Sequence, residues 1–128
     1  MRLSSVVVLT ASLICFPLIA NALPLEQDMD ILGSELVTVQ NAGNAQEMHQ
    51  SLEKMRHAAE DARTGTPYTL QGQAADSENM KAYRAGIDQL IAQINVVDAL
   101  AVKNKLPEAK AAAKKLIDIR NQNHRKFR

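Results

Sequence analysis

Apolar residues recur every three or four positions along most of this chain, which is the spacing of one face of an α-helix. No stretch shows the strict alternation that is typical of a half-buried strand. The pattern predicts four helices, at about 25–42, 44–63, 76–103 and from 106 to the last residues. The predicted buried faces are Leu25, Met29, Leu32, Leu36 and Val39; Ala45, Met48, Leu52, Met55, Ala59 and Ala62; Met80, Tyr83, Ile87, Leu90, Ile91, Ile94, Val97 and Ala101; and Leu106, Ala109, Ala113, Leu116, Arg120 and Phe127.

The breaks between these segments carry the residues that start and stop helices. Pro24 precedes the first helix, where proline is tolerated, and we expect Gly43 to end that helix. Asn44 is a favourable N-cap for the second helix. Residues 64–75 form the one long predicted loop, whereas a short turn at 104–105 separates the last two helices. Four long helices joined in this way predict an all-α fold, an antiparallel up-down-up-down four-helix bundle.

The first 22 residues have the features of a secretory signal peptide. Arg2 precedes the apolar run 6–20, and Ala20-Asn21-Ala22 is a small-x-small cleavage signal. We therefore expect cleavage after Ala22, export, and a mature domain at 23–128 with no membrane insertion. Cys15 is the only cysteine, and it lies in the predicted signal peptide. The mature chain therefore lacks a cysteine for a disulfide, a covalent haem attachment or a thiolate nucleophile.

Charge is balanced but unevenly distributed in the predicted mature chain. The segment 23–63 holds eight acidic and three basic residues, whereas 103–128 holds two acidic and nine basic residues. We expect an acidic first helix beside a basic last helix, with some steering of a charged partner. Nucleic acid is not an expected partner, because the protein is predicted to be exported and aromatic residues make up only 3% of the sequence.

Met29 and His124 are the main candidates for a binding site. In an up-down-up-down bundle the start of the first helix and the end of the fourth share one end. Each of the two residues lies about four positions, or roughly 6 Å, from that end. A histidine at this position can be a satisfied core residue or part of a frayed helix end. Paired with a thioether at equal height, it can also bind a metal.

The same end is predicted to form an apolar pocket. The loop at Pro67 closes over it, Tyr83 and Ile87 line it, Leu32 shares the face of Met29, and Met55 forms the floor. Arg120, one turn before His124, either forms a surface ion pair or meets the edge of a ligand. Such a pocket suits a flat apolar macrocycle better than a bare ion, and methionine with histidine is the axial pair of electron-transfer haems.

Four segments carry a resemblance to a known family: L-E-Q-D-M at 25–29, K-M-R-H-A-A-E-D-A at 54–62, D-S-E-N-M-K-A-Y-R at 76–84 and R-N-Q-N-H-R-K-F-R at 120–128. Together they resemble the soluble cytochromes b562, over the whole predicted mature chain. The resemblance implies a periplasmic electron carrier, not an enzyme, with one non-covalent b-type haem (protoporphyrin IX iron) per chain and Met29 and His124 as axial ligands. It also implies a monomer that exchanges electrons with other redox proteins. The family usually has phenylalanine at the positions of Tyr83 and Ile87.

One alternative function is a cofactor-free periplasmic bundle that binds copper or zinc or assists other proteins. His49, Glu53 and His57 have the i, i+4, i+8 spacing of a possible metal stripe. Because this stripe points away from the predicted core, we expect it to be a solvated face. A purified protein that is red would favour the haem protein, and a colourless one would favour the alternative.

Overall fold

The computed structural model describes residues 24–127, which form four helices and no strand. The helices are α1 (Leu25–Asn41), α2 (Ala45–Arg63), α3 (Glu78–Val102) and α4 (Leu106–Phe127). Three-residue connections join α1 to α2 and α3 to α4, so each of these pairs is antiparallel. The predicted up-down-up-down four-helix bundle is confirmed. The predicted signal peptide at 1–22 lies outside the described residues.

Side-chain caps fix the starts of α2 and α3. The Asn44 side chain accepts a hydrogen bond of 2.8 Å from the Glu47 backbone N–H, and the Glu47 carboxylate accepts one of 3.3 Å from the Gly43 N–H. This reciprocal arrangement satisfies backbone donors that the first helical turn leaves unpaired. Ser77 caps α3 in the same way by accepting from the Met80 N–H at 3.1 Å. The predicted N-cap at Asn44 is therefore confirmed.

The turns between helices differ in one respect from the prediction. α1 ends one residue earlier than predicted, at Asn41, and Ala42 leaves the helix with φ −58° and ψ 132°, so Gly43 directly follows the C-cap residue. Gly72 is the only described glycine with positive φ. The predicted stop before Gly43 is therefore confirmed to within one residue, and the extended Ala42 is the residue that redirects the chain. In the α3–α4 turn, Asn104 takes the left-handed conformation with φ 60°.

The core follows the predicted helix faces closely. Most predicted positions are buried, and α3 contributes the longest apolar row, from Met80 to Ala101. By length and composition α3 could also cross a membrane, but its apolar residues form part of the bundle core. Ile119 is buried although it was not predicted, whereas Leu25, Met29 and Ile91 are only partly buried. The incomplete burial of Leu25 and Met29 shows that one end of the bundle is packed less tightly.

The long loop is more ordered than predicted. It contains a 3₁₀ turn at Tyr68–Leu70, and Leu70 is buried against the core. The Thr69 hydroxyl donates a 2.9 Å hydrogen bond to the Phe127 carbonyl at the end of α4. The loop is thereby fixed to the last helix, and it covers the end of the bundle where α1 begins.

Candidate cofactor site

Helices α1 and α4 are separated at the end of the bundle where α1 begins. The pairs α1–α2, α2–α3 and α3–α4 contact one another along most of their lengths, whereas α1 and α4 touch far less. The gap between them is a cavity of about 1010 Å³ beneath the 3₁₀ turn. That volume is at the upper limit of ordinary small-molecule sites.

The cavity brings together most residues of the predicted site. Met29 from α1 and His124 from α4 both line it. Its other predicted lining residues are Leu32, Pro67, Tyr83, Ile87 and Arg120. A smaller cavity of about 350 Å³ adjoins the first and includes Met55, while Leu32, Met29, Arg120 and His124 line both. Met55 therefore lies deeper than the main cavity, at 1% exposure.

The two candidate ligands differ from the core residues around them. Met29 is partly buried and His124 is exposed. In contrast, Leu32, Ile87 and Leu90 on the walls are buried. A helix position on an apolar stripe normally buries its side chain against a neighbouring helix. Here α1 and α4 contact each other little, so Met29 and His124 instead border one shared cavity.

The α4 face of the cavity contains two residues that the sequence interpretation missed. Ile119 and Asn123 line it in addition to the predicted positions, because i+3 and i+4 neighbours share a helix face. Asn123 donates a 2.9 Å hydrogen bond to the Ile119 carbonyl. It packs against Gly86 on α3, where a Cβ atom would overlap the Asn123 amide group. They lie three and four positions from Leu116 and Phe127, respectively, so widening the predicted α4 stripe would have found them.

Tyr83 is a buried wall residue whose hydroxyl is fully occupied. Its hydroxyl donates a 2.6 Å hydrogen bond to the Ala62 carbonyl on α2, and its ring contacts Phe127 edge to face at 5.6 Å between centroids. Burial, reinforced by the nearby Asp28 carboxylate, raises the pKa of Tyr83 to about 12. The side chain is therefore neutral at physiological pH and presents its ring to the cavity.

A pair of carboxyl groups lies behind this wall, and the sequence interpretation did not identify it. Asp28 is only 1% exposed, and neither of its oxygens has a hydrogen-bond partner among the residues of the described chain. Burial is the main cause that raises the pKa of Asp28 to about 7, and the adjacent Asp61 carboxyl adds to it. When both groups are ionised they can only accept hydrogen bonds. A single proton allows one to donate to the other, and it removes their repulsion.

The predicted His49–Glu53–His57 stripe is divided in the structure. His57 is exposed and lies 3.9 Å from the Glu60 carboxylate. His49 instead contacts Asp98 on α3, with 2.6 Å between Nδ1 and Oδ1. The expectation of a wholly solvated face was therefore wrong for His49. The partner lies 49 positions away in sequence, so helical spacing within α2 could not indicate it.

These features define a class of protein: a four-helix bundle with a cofactor-sized opening between its first and last helices. The sequence profile of the cytochrome b562 family matches residues 24–128. Two Yersinia pestis proteins, named probable soluble cytochrome b562 1 and 2, are 39% and 38% identical to this chain. The first alignment covers 84% of each chain and the second covers 94% of each. An uncharacterized Pasteurella multocida protein is 31% identical over 79% of this chain and 78% of its own.

The chain therefore belongs to the cytochrome b562 family. It is a family of haem-binding electron-transfer proteins, and membership implies a b-type haem as the cofactor. The resemblance seen in the sequence is confirmed. The cofactor-free alternative is not favoured by this relationship.

Proposed function

We propose that the protein is a periplasmic electron carrier that holds one b-type haem per chain, with Met29 and His124 as axial ligands. The observation that supports this most directly is that both residues line one open cavity, although they stand 95 positions apart in sequence. Family membership supplies the class of cofactor, and the cavity supplies a place for it.

The chemistry of the cavity fits a haem that is held without covalent bonds. The mature chain proposed here contains no cysteine, so contacts and coordination alone must bind the cofactor. Leu32, Ile87 and Leu90 form apolar walls, which suit the faces of a porphyrin. One imidazole and one thioether are available from opposite helices as ligands for a metal at its centre.

Each ligand has a distinct task. The neutral imidazole of His124 is the stronger donor and anchors the cofactor to α4. The Met29 thioether would supply the second ligand from α1. When bound, the haem iron accepts and releases one electron, and methionine ligation raises its reduction potential. With Met29 and His124 both bound to the iron, no coordination position would remain for oxygen chemistry.

Arg120 is the candidate partner for the charged edge of the cofactor. It is partly buried, lines both cavities, and donates from Nε to the Asn121 side chain at 3.3 Å. Its guanidinium lies one turn from His124, where it can pair with a haem propionate. This interaction stabilises the carboxylate without adding a ligand to the iron.

The two departures from the usual family pattern add no charge to the pocket. Tyr83 directs its hydroxyl to the Ala62 carbonyl, and Ile87 is apolar. The Tyr83 hydroxyl also joins α3 to α2 behind the cofactor site. A phenylalanine in place of Tyr83 would leave the Ala62 carbonyl without this donor. We therefore expect haem affinity to depend little on the Tyr83 hydroxyl.

The proposal includes export, cleavage after Ala22 and a monomeric mature protein that exchanges electrons with other redox proteins. The charge imbalance between the first and last parts of the mature chain supports electrostatic steering of such partners. Mass spectrometry of the exported protein tests the cleavage site. A mass that does not correspond to residues 23–128 would contradict this part of the proposal.

Visible spectroscopy of the purified protein tests the haem assignment. The reduced protein should show the sharp α and β bands of low-spin haem, bind one haem per chain and react poorly with carbon monoxide. His124→Ala should lose most of its haem affinity, because the stronger ligand is removed.

The matched control for that variant is the double change His49→Ala and His57→Ala, which removes the other two histidines of the chain. We expect this protein to keep the wild-type spectrum. If the double variant loses haem while His124→Ala keeps its spectrum, the assignment of His124 is wrong. A high-spin wild-type spectrum with ready carbon monoxide binding would exclude six-coordination.

A further inference from the structure

His49, Glu53 and Asp98 form a cluster outside the cofactor cavity. His49 and Glu53 lie one turn apart near the start of α2, and Asp98 lies near the end of α3. The cluster therefore lies towards the opposite end of the bundle, roughly 6–12 Å along its axis from the level of Met29. Its residues contribute nothing to the cavity walls.

The three side chains are close enough to bind one ion. One nitrogen of His49 and one oxygen from each carboxylate all lie within 4.8 Å of one another. In a tetrahedral zinc site the ligand bonds are about 2.0–2.2 Å, so neighbouring donor atoms are roughly 3.4 Å apart. Small side-chain rotations bring the present atoms to that spacing. The shortest separation, 2.6 Å between His49 Nδ1 and Asp98 Oδ1, has to widen to admit an ion.

Arg56 holds the two carboxylates in place. Its Nη2 donates to Asp98 Oδ2 at 3.0 Å, its Nη1 contacts Glu53 Oε1, and its Nε donates to Asn95 Oδ1 at 2.8 Å. The guanidinium thus binds one oxygen of each carboxylate, and Asp98 Oδ1 remains on the side of His49. Ligating carboxylates commonly have such outer hydrogen-bond partners. Two carboxylates against one guanidinium also leave a net negative charge, which favours a cation.

Exposure gives an ion access from solvent. The side chains of His49 and Glu53 are 39% and 38% exposed, whereas that of Asp98 is 12% exposed. The site is therefore anchored on the α3 side and open on the α2 side, where a water molecule can complete the coordination. One imidazole with two carboxylates suits a borderline ion, whereas calcium and magnesium prefer oxygen ligands alone.

We infer that His49, Glu53 and Asp98 form a site for a borderline divalent transition-metal ion such as Zn²⁺, separate from the haem site. Binding joins α2 to α3 through the metal. The site uses neither Met29 nor His124, so the test of zinc binding does not depend on the proposed electron-transfer function.

Isothermal titration of Zn²⁺ into the haem-loaded protein tests the inference. We expect one saturable site per chain, weakened at least tenfold in His49→Ala and in Asp98→Asn. His57→Ala is the matched control, because His57 is on the same helix but lies outside the cluster, and its affinity should stay within twofold of wild type. The His124→Ala protein should also bind Zn²⁺ as the wild type does. The zinc result can therefore be distinguished from failure of the haem proposal.

Zinc X-ray absorption on the same sample identifies the ligands. One imidazole and oxygen donors would support the site, and circular dichroism confirms that each variant is folded. His49→Ala is the more secure variant, because its side chain is partly exposed and its removal leaves no buried charge unpaired. Absence of saturable binding, undiminished binding in His49→Ala, or equal losses in His57→Ala and His49→Ala would each overturn the inference.

Discussion

At the scale of single residues, Met29 and His124 have different consequences when removed. Met29→Ala should retain haem, because His124 and the apolar walls remain. Its iron should then be five-coordinate or bind water, so carbon monoxide should bind readily. Its reduction potential should fall, since the ligand that favours ferrous iron is gone. Spectroelectrochemistry with and without carbon monoxide measures both effects.

Met55→Leu is the matched control for that variant. It also removes a thioether, but from the deeper cavity, and it nearly conserves side-chain volume. We expect its spectrum and its resistance to carbon monoxide to match the wild type. If carbon monoxide binds readily to the Met55→Leu protein and poorly to the Met29→Ala protein, the sixth ligand has been assigned to the wrong methionine.

Asp28 gives the protein a specific dependence on pH. Its pKa rises from 3.8 to about 7 on folding, mainly because of burial, so the folded state binds the proton more tightly. The proton-linked stabilisation is fully present below pH 3.8, and it is lost as the pH rises towards 7. Above that, an ionised Asp28 beside Asp61 lowers the free energy of unfolding by on the order of 4 kcal/mol relative to the protonated state.

Asp28→Asn removes this titration but preserves the shape of the side chain. In the haem-free protein the variant should be more stable than wild type at pH 8, and the difference should shrink towards pH 4.5. Urea unfolding at several pH values measures this difference in the free energy of unfolding. Contributions from the other titrating groups, which the two proteins share, cancel in the difference. A difference that is constant with pH would show that Asp28 does not titrate as stated.

At the scale of the helices, Gly86 controls the contact between α3 and α4. A methyl group there would overlap the Asn123 amide, so Gly86→Ala should destabilise the protein by about 1–2 kcal/mol in spite of alanine's higher helix propensity. In an Asn123→Ala background the overlap is absent, and Gly86→Ala should then stabilise the protein. Thermal unfolding of the four proteins in this cycle gives the coupling energy directly.

Gly33 is the internal control for the Gly86 experiment. It also lies within a helix, but a Cβ atom there would meet nothing within 4 Å. Gly33→Ala should therefore stabilise the protein by roughly 0.5–1 kcal/mol from helix propensity alone. Equal changes in stability for Gly33→Ala and Gly86→Ala would show that the Asn123 contact does not affect the stability of the protein.

The sequence predicted the helices well because their signals are local. The apolar spacing of α3 and the caps at Asn44 and Ser77 depend on residues within one or two turns. The end of α1 was predicted one residue too late because either of two neighbouring residues can redirect a chain, and Ala42 does so here. The 3₁₀ turn at Tyr68–Leu70 depends partly on the distant Phe127, so no local pattern revealed it.

The candidate site was predictable in part for the same reason. Helix direction alone placed Met29 and His124 at one level, and the structure brings both to one cavity. Burial of Asp28 could not be read from its charge, which normally indicates a solvated position. The meeting of His49 with Asp98 depends on how α2 rotates against α3, and single-helix periodicity does not contain that information.

At the scale of the whole molecule, the structure predicts a helical protein that haem stabilises. The core of α2 and α3 with their neighbours does not depend on the cavity, so the haem-free protein should keep its far-ultraviolet circular dichroism. A ligand that binds only the folded state at a hundredfold excess over Kd adds about 2.7 kcal/mol. For a domain of this size, that raises the Tm by about 10–20 °C.

Melting curves with and without haem measure this shift. The His124→Ala protein is the control, because it should melt near the haem-free wild type whether or not haem is added. Coincident midpoints for wild type with and without haem would contradict binding to the folded protein.

The weak contact between α1 and α4 also has a kinetic consequence. The three extensive interfaces all join helices that are consecutive in the chain, so most contacts can form with short loop closures, which is the condition for rapid folding. The α1–α4 contact spans nearly the entire chain and adds little to that early structure. Folding can therefore be complete while α1 and α4 are still apart at this end. The haem can then enter the cleft without first separating two packed helices.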